Sequence, residues 1–295
     1  MEPDSARHAE AAPPPAAEPV APDALDLVER AHLRRPDDTS HTLARYPPPP
    51  GLAHLVQRSW FPVWSVPPGE ESVQEVLQHP VCLLVVTPTY DRFYRVTSGL
   101  SRTVLTGDGW AAGVMLTPAA GYLLARRPLT ELADRHVPLV DVLPRTAARL
   151  VQAVRSAMAD DPAAPSSHAA AARAYAEALA DVGPVDAEGE VVERVVAVAA
   201  GRRDLTRVDD LCAAVDLPER ALQRLTRRRV GLSPKWLVQR RRLHEAAELV
   251  RAGTTPHAEI AAMLGYADQA HFVRDFSHVT GRTPGALAAQ HRASP

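Results

Sequence analysis

The spacing of apolar positions along this chain changes character twice. Residues 1–38 are rich in Ala, Pro and Asp/Glu with no stable period, which predicts disorder through about residue 40. At most a short helix is expected around Asp23–His32. From about His41 to Leu129 apolar residues fall into short β-like runs at His54–Val66, Val81–Pro88, Arg92–Thr97, Ser101–Thr106 and Ala111–Thr117. Turn signals at Pro67-Pro68-Gly69, Ser98-Gly99 and Gly107-Asp108-Gly109 separate them, so a compact antiparallel sheet or small barrel is expected over 41–143. The period then becomes helical, over 144–158 with Ala148, Leu150, Val151 and Val154, and again over 167–182. Asp160-Asp161-Pro162 through Pro165 breaks the two apart. This stretch, 144–184, is expected to be a helical connector that ends at a hinge at Gly183-Pro184. A Val-rich helix at about 188–200 opens the last segment, 185–292.

That segment repeats itself. Leu222, Arg224, Gly231, Ser233 and Pro234 recur fifty positions later as Phe272, Arg274, Gly281, Thr283 and Pro284. Each copy follows a short apolar helix, Leu211–Val215 in the first and Ile260–Leu264 in the second. A short helix, a tight turn and a second helix with a polar face is the signature of a helix-turn-helix. Two copies, at about 207–229 and 256–279, make DNA reading the leading expectation.

The second helix of the first copy places Leu222 and Leu225 on one side, with Val230 closing the end. Arg220, Gln223, Arg224 and Arg227 gather on another side. Arg can donate two hydrogen bonds to guanine and Gln pairs well with adenine, so this face suits a major groove. For an isolated helix the plainer reading is a solvated charged face, and the repeated context reverses that preference. In the second copy Thr255 is expected to cap a helix beginning at Pro256, Gly265 to take the left-handed turn and Asp268 to cap the next helix. Phe272, Phe276 and Val279 form its apolar stripe, while Gln269, Ala270, His271 and Arg274 lie toward the groove face. Between the copies, Ser233-Pro234 starts a helix that Gly253 can end. At about 1.5 Å per residue its nineteen or so residues span roughly 28 Å, near the roughly 34 Å between successive major-groove faces.

Charge supports the same division. The chain carries 33 Lys+Arg against 35 Asp+Glu, but residues 201–295 hold 16 against 10 and the residues before them 17 against 25. A basic reading head on an acidic body fits that asymmetry. Lys235 is the only lysine, which reflects composition more than selection for guanidinium chemistry. Cys82 and Cys212 lie in apolar surroundings without metal-ligand spacing and are expected to be buried structural thiols. No run approaches 18 apolar residues and the start is acidic, so no membrane span or secretory signal is expected, and a cytoplasmic location is.

Arg220-Ala221-Leu222-Gln223-Arg224-Leu225 followed by Gly231-Leu232-Ser233-Pro234 resembles the first reading motif of AraC/XylS-type transcriptional regulators. Ile260-Ala261, then Leu264-Gly265-Tyr266-Ala267-Asp268-Gln269-Ala270-His271-Phe272-Val273-Arg274-Asp275-Phe276, resembles the second, ending at Gly281-Arg282-Thr283-Pro284. The resemblance covers about residues 187–292. It implies a seven-helix domain that binds double-stranded DNA in consecutive major grooves, usually to control promoters, with RNA polymerase as a further partner. Thr226 stands where the family usually places Phe, which predicts looser packing in the first subdomain, and Pro218 stands where a capping Ser is common. Residues 41–143, with Tyr46–Pro50, the Trp60-to-Trp64 strand and His79-Pro80, resemble the β-rich front domain of some actinobacterial-type members. In the family such domains often bind a small effector or form a homodimer.

The fold expected is therefore α+β, a β-rich sensor-like domain followed by an all-α domain with two helix-turn-helix motifs on a linker helix. The rival from another class is an enzyme with a β-barrel catalytic domain fused to a DNA-binding module. His54, His79 and His136 are far apart, His79 before Pro80 reads as a strand-entering residue, and Glu70, Glu71 and Glu75 read as a solvated loop. No Gly-x-Ser-x-Gly motif is present, and neither a metal nor another cofactor is expected. Trp60, Trp64, Tyr90, Tyr94, Trp110 and Tyr122 offer surface for an apolar pocket, with at least half of them expected to fill the core instead.

Overall fold

The computed structural model describes residues 38–132 and 136–292, so the expected disorder and the short helix around Asp23–His32 fall outside the described residues except at 38–40. Among the described residues the front half has nine antiparallel strands: β1 His41–Tyr46, β2 Val56–Ser65, β3 Ser72–Leu77, β4 Leu83–Val86, β5 Asp91–Tyr94, β6 Leu100–Leu105, β7 Asp108–Trp110, β8 Ala112–Leu116 and β9 His136–Val137. Seven of them form one sheet in the order β1-β2-β8-β4-β5-β9, with β7 also on β2, while β3 and β6 make a separate two-stranded ribbon. The five expected runs correspond to β2, β4, β5, β6 and β8. The short strands β1, β7 and β9 and the ribbon strand β3 were not expected. Glu75 lies on β3 rather than in a solvated loop, and its partner there is Arg102.

All five residues of β8 are buried, because the sheet is covered on both faces at its centre. One cover is a helical hairpin, α2 Ala147–Ala157 and α3 Pro165–Leu179, which follows the short helix α1 Ala120–Ala125. Leu150, Val154, Met158, Tyr175 and Leu179 of that hairpin share one core with Phe61, Leu84, Phe93, Val114 and Leu116 of the sheet. Each such side chain contributes roughly 1.5–3 kcal/mol relative to exposure. Buried Tyr175 donates its hydroxyl to Ala112 O at 2.7 Å, which satisfies the one polar atom it carries inward. On the opposite face the Trp60 indole lies across Gly113, where a Cβ would stand 2.7 Å from the ring, so only glycine fits there.

The aromatic expectation is corrected by this arrangement. Of Trp60, Trp64, Tyr90, Tyr94, Trp110 and Tyr122, only Trp110 is buried, and it shares the front-half core with the aromatics Tyr46, Phe61, Phe93 and Tyr175. Cys82 is buried, its thiol pushed up to about 12 by desolvation, whereas Cys212 is only half-buried. His54 is exposed, His136 packs edge-on against Tyr94, and His79 lies between β3 and β4, 5.6 Å from the His244 ring. Among the described residues no group of three His, Cys, Asp or Glu side chains could hold a metal ion, and no helix is long and apolar enough to cross a membrane.

The back half is all helical: α4 Ala187–Gly201, α5 Val208–Val215, α6 Glu219–Arg229, α7 Pro234–Ala252, α8 His257–Met263, α9 Gln269–Thr280 and α10 Pro284–Arg292. The molecule is thus α+β, β-rich first and helical after. The two halves are packed on each other. Leu77, at the end of the ribbon strand β3, joins the core made by Leu243, Ala247, Ile260, Phe272 and Phe276. Val96 joins the other helical core, with Val192, Leu211 and Leu222. Glu75 pairs with Arg282, and Arg240 donates to Gln78 O from a buried position that lowers its pKa to about 9 by desolvation.

Candidate nucleic-acid interface

Helices α5 and α6 form the first helix-turn-helix, α8 and α9 the second, and α7 joins them. The turn of the first uses Asp216 in the left-handed region, φ 53°, a conformation that Asp adopts more readily than most residues. The turn of the second uses Gly265 at φ +71°, and a Cβ there would also stand 2.8 Å from Thr206 Cγ2. Glycine is required twice over, and the second turn is thereby pressed against the start of the first subdomain.

Capping follows the local sequence at three of the expected positions. Asp268 accepts from His271 N at 2.6 Å at the start of α9, and Ser233 accepts from Trp236 N at 3.2 Å at the start of α7. Gly253 ends α7 at φ +66°. The expectation for α8 is corrected: Pro256 itself is the N-cap, the helix begins at His257, and no side chain caps it. Pro218 likewise stands at the N-cap of α6 without a side-chain cap.

Packing makes the two copies unequal. Phe272 and Phe276 are fully buried with Tyr266 beside them, an aromatic core. The first copy is aliphatic, with Leu211, Val215, Leu222 and Val230, and Thr226 is fully buried in the place of an aromatic ring. Its hydroxyl donates to Gln223 O at 3.4 Å, the back-bond that a buried threonine makes within a helix.

The second reading helix is tied to the linker helix by a polar chain. Asp275 of α9 accepts from Tyr266 Oη at 2.9 Å and from Gln239 of α7. Arg242 of α7 lies 3.7 Å from the Tyr266 ring centroid. Burial and the neighbouring Asp275 carboxylate push the Tyr266 hydroxyl upward in pKa, so it stays a donor. At the first subdomain Arg241 donates to Leu205 O at 2.9 Å and to Glu245 at 2.9 Å. One helix therefore grips both halves.

Of the eight residues expected to read DNA, Arg220, Arg224 and Arg227 are exposed on α6, and Gln269, Ala270, His271 and Arg274 are exposed on α9. Gln223 is half-buried and donates to Glu219 Oε1 at 2.7 Å, so it must exchange that partner to meet a base. His271 packs edge-on against Tyr266, ring centroids 5.3 Å apart. Arg228 and Arg229 turn the other way. Arg229 is buried, donating to both Asp186 oxygens at 2.8 and 2.6 Å and to Glu188 at 2.7 Å, with its guanidinium 4.0 Å from the Tyr122 ring centroid. The basic run 227–229 is thus split between solvent and a cluster made by Tyr122 of the front half and by Asp186 and Glu188 at the start of α4. Helical spacing alone does not show which of its members has an acidic partner forty residues earlier.

These features define a DNA-binding protein with two helix-turn-helix units behind a β-rich domain. Residues 211–290 match the family described as helix-turn-helix domain, and residues 44–138 match a domain of unknown function, DUF6597. The back half is an AraC-type helix-turn-helix domain, and a DUF6597 domain precedes it. No curated protein matches. Among solved structures, a probable AraC family transcriptional regulator from Rhodopseudomonas palustris CGA009 is similar at 25% identity over 35% of this chain and 97% of that one, TM-score 0.31. The C-terminal domain of AraT, a response regulator from Geobacillus stearothermophilus, is similar at 23% identity over 35% of this chain and 88% of that one, TM-score 0.32. ToxT from Vibrio cholerae O395 aligns over 87% of this chain and 100% of its own, at 11% identity and TM-score 0.38.

Proposed function

We propose that this protein controls promoters by placing α6 and α9 in successive major grooves of one duplex, and that its front half governs this through a small effector or homodimerisation. The observation that carries the reading is one linker helix, α7, of 19 residues that grips both reading helices while their Arg220, Arg224, Arg227 and Gln269, Ala270, His271, Arg274 faces stay exposed. Nineteen residues at about 1.5 Å each bring the two helices to roughly the repeat of the groove. The basic residues supply phosphate contacts that release counterions, and the residues at the start of α9 supply base contacts. RNA polymerase is the further partner that the family resemblance suggests.

The test is a gel-shift with the DNA upstream of the protein's own gene. Binding should be sequence-specific and fall steeply between low and high salt, because each Arg that meets a phosphate displaces a counterion. A folded chain with equal affinity for random and upstream DNA, or none for either, overturns the reading. Footprinting should show two protected major-groove faces about one helical turn apart.

A further inference from the structure

One cavity borders the core of the front half and lies away from the exposed faces of the reading helices. It has a volume of about 820 Å³, within the roughly 300–1,000 Å³ of small-molecule sites, and opens between α1, the start of α2, the end of α3 and the segment leading to α4. Its floor is apolar, with Leu124, Leu143 and Ala178 all buried. Its rim carries four exposed charges, Arg126 and Arg145 against Asp141 and Asp181. Among the described residues none of the four is in an ion pair or a side-chain hydrogen bond.

We infer that this cavity is the effector site, and that it takes a small apolar zwitterion, in the size range from an amino acid to a short peptide. The inference rests on the regulator reading above and specifies its ligand. The choice of chemistry follows from the rim. An anion would leave the two aspartates facing it and a cation the two arginines, whereas a ligand with one ammonium and one carboxylate meets both signs. Its side chain then covers the apolar floor. The ammonium pairs with Asp141 or Asp181 and the carboxylate with Arg126 or Arg145.

The cavity walls also explain how occupancy reaches DNA. Leu123 and Leu124 on one wall follow Tyr122, whose ring lies under Arg229 of the first reading helix. Gly183 and Pro184 on another wall lead directly to Asp186, which binds the same guanidinium. Two walls of one cavity therefore hold Arg229 from two sides. A ligand that draws α1 and the 183–186 segment together changes how α6 is held, and so distinguishes two states of the reading head.

The experiment titrates the full chain calorimetrically with L-leucine, L-phenylalanine and leucyl-leucine, beside N-acetyl-leucine and leucinamide, which each lack one charge. Saturable binding of at least one zwitterion is expected, with each one-charge analogue about tenfold weaker or worse. Asp181→Asn and Arg145→Gln, both on the exposed rim, should weaken the zwitterion by a similar factor while leaving the melting temperature without ligand unchanged. The bound zwitterion should shift affinity for upstream DNA, and Tyr122→Ala should keep zwitterion binding while removing that shift. A folded chain that binds none of the zwitterions, or binds them indifferently to blocked ends and to both rim substitutions, overturns the assignment. If that chain still binds upstream DNA specifically, the regulator reading survives and only the cavity assignment fails. A chain that binds the zwitterion but no DNA has the opposite meaning.

Discussion

Arg242 of the linker helix and Tyr266 of the second turn are stacked, with the guanidinium carbon 3.7 Å from the ring centroid, while the Tyr266 hydroxyl reaches Asp275 on the second reading helix at 2.9 Å. One ring thus joins the helix that sets spacing to the helix that reads. Tyr266→Phe keeps the stack and deletes the hydroxyl, leaving Asp275 with Gln239. A loss of about 1.5–3 kcal/mol is expected, since the acceptor is a charged carboxylate. Urea denaturation of the full chain measures it, and an unchanged midpoint contradicts the role given to this ring.

Gly265→Ala should destabilise by more than the roughly 1 kcal/mol of an ordinary left-handed glycine replacement, because the new methyl meets Thr206 as well. Thr206→Ala should recover part of the loss by removing Thr206 Cγ2 and Oγ1, leaving the backbone strain. A double-mutant cycle by denaturant melting separates the two contributions. Additive losses would mean that the two subdomains are not pressed together at this point.

Arg274→Ala should weaken specific DNA binding by about 1–3 kcal/mol if the guanidinium meets a guanine edge. Arg227→Ala, at the C-terminal end of the first reading helix, should instead lower affinity for all sequences and reduce the salt dependence, as expected of a phosphate contact. Titrations at several salt concentrations with specific and random DNA check both. No change on either DNA removes the residue from the interface.

The front half should lose stability on mild acidification. His168 is buried, stacked on Phe61 with centroids 4.5 Å apart, and its ring nitrogens meet Tyr46 Oη at 2.8 Å and Pro162 O at 2.9 Å. Desolvation holds its pKa below the ordinary value of 6.5. A histidine whose folded pKa is depressed binds more protons unfolded than folded between the two values. Its share of stability is therefore fully present above about pH 6.5 and declines as pH falls toward the folded pKa. His168→Gln should flatten that part of the profile while lowering stability at neutral pH. Thermal melts of both chains from pH 8 to pH 5 test the sign, and parallel profiles would exclude His168 as the titrating group.

Most of the reading head was legible because its signals are local. Asp268, Ser233 and Gly253 cap or end helices within three or four residues of themselves, and Gly265 takes the left-handed turn that glycine favours. Phe272 and Phe276 fall inward from spacing alone. Weak local signals mislead. Thr255 looked like a cap, yet the helix starts after Pro256. The strand of Glu75 carries no clear local signal, because Ser72–Leu77 is mostly half-buried and its one charge meets Arg282 of the helical half.

By itself the sequence determined the double helix-turn-helix, its linker helix, and the division into a β-rich half followed by a helical one. Periodicity, capping and turn residues act over a few positions, and each is written where it acts. Only the tertiary structure decided that Leu77 completes the core of the second reading unit and that α2 and α3 cover the sheet. It also decided that Arg229 turns away from its neighbour Arg227 toward Tyr122, Asp186 and Glu188. Arg227 and Arg229 are the same residue type two positions apart on one helix. What separates them is an aromatic ring more than a hundred residues away, and burying a guanidinium is tolerable only where carboxylates from another element meet it.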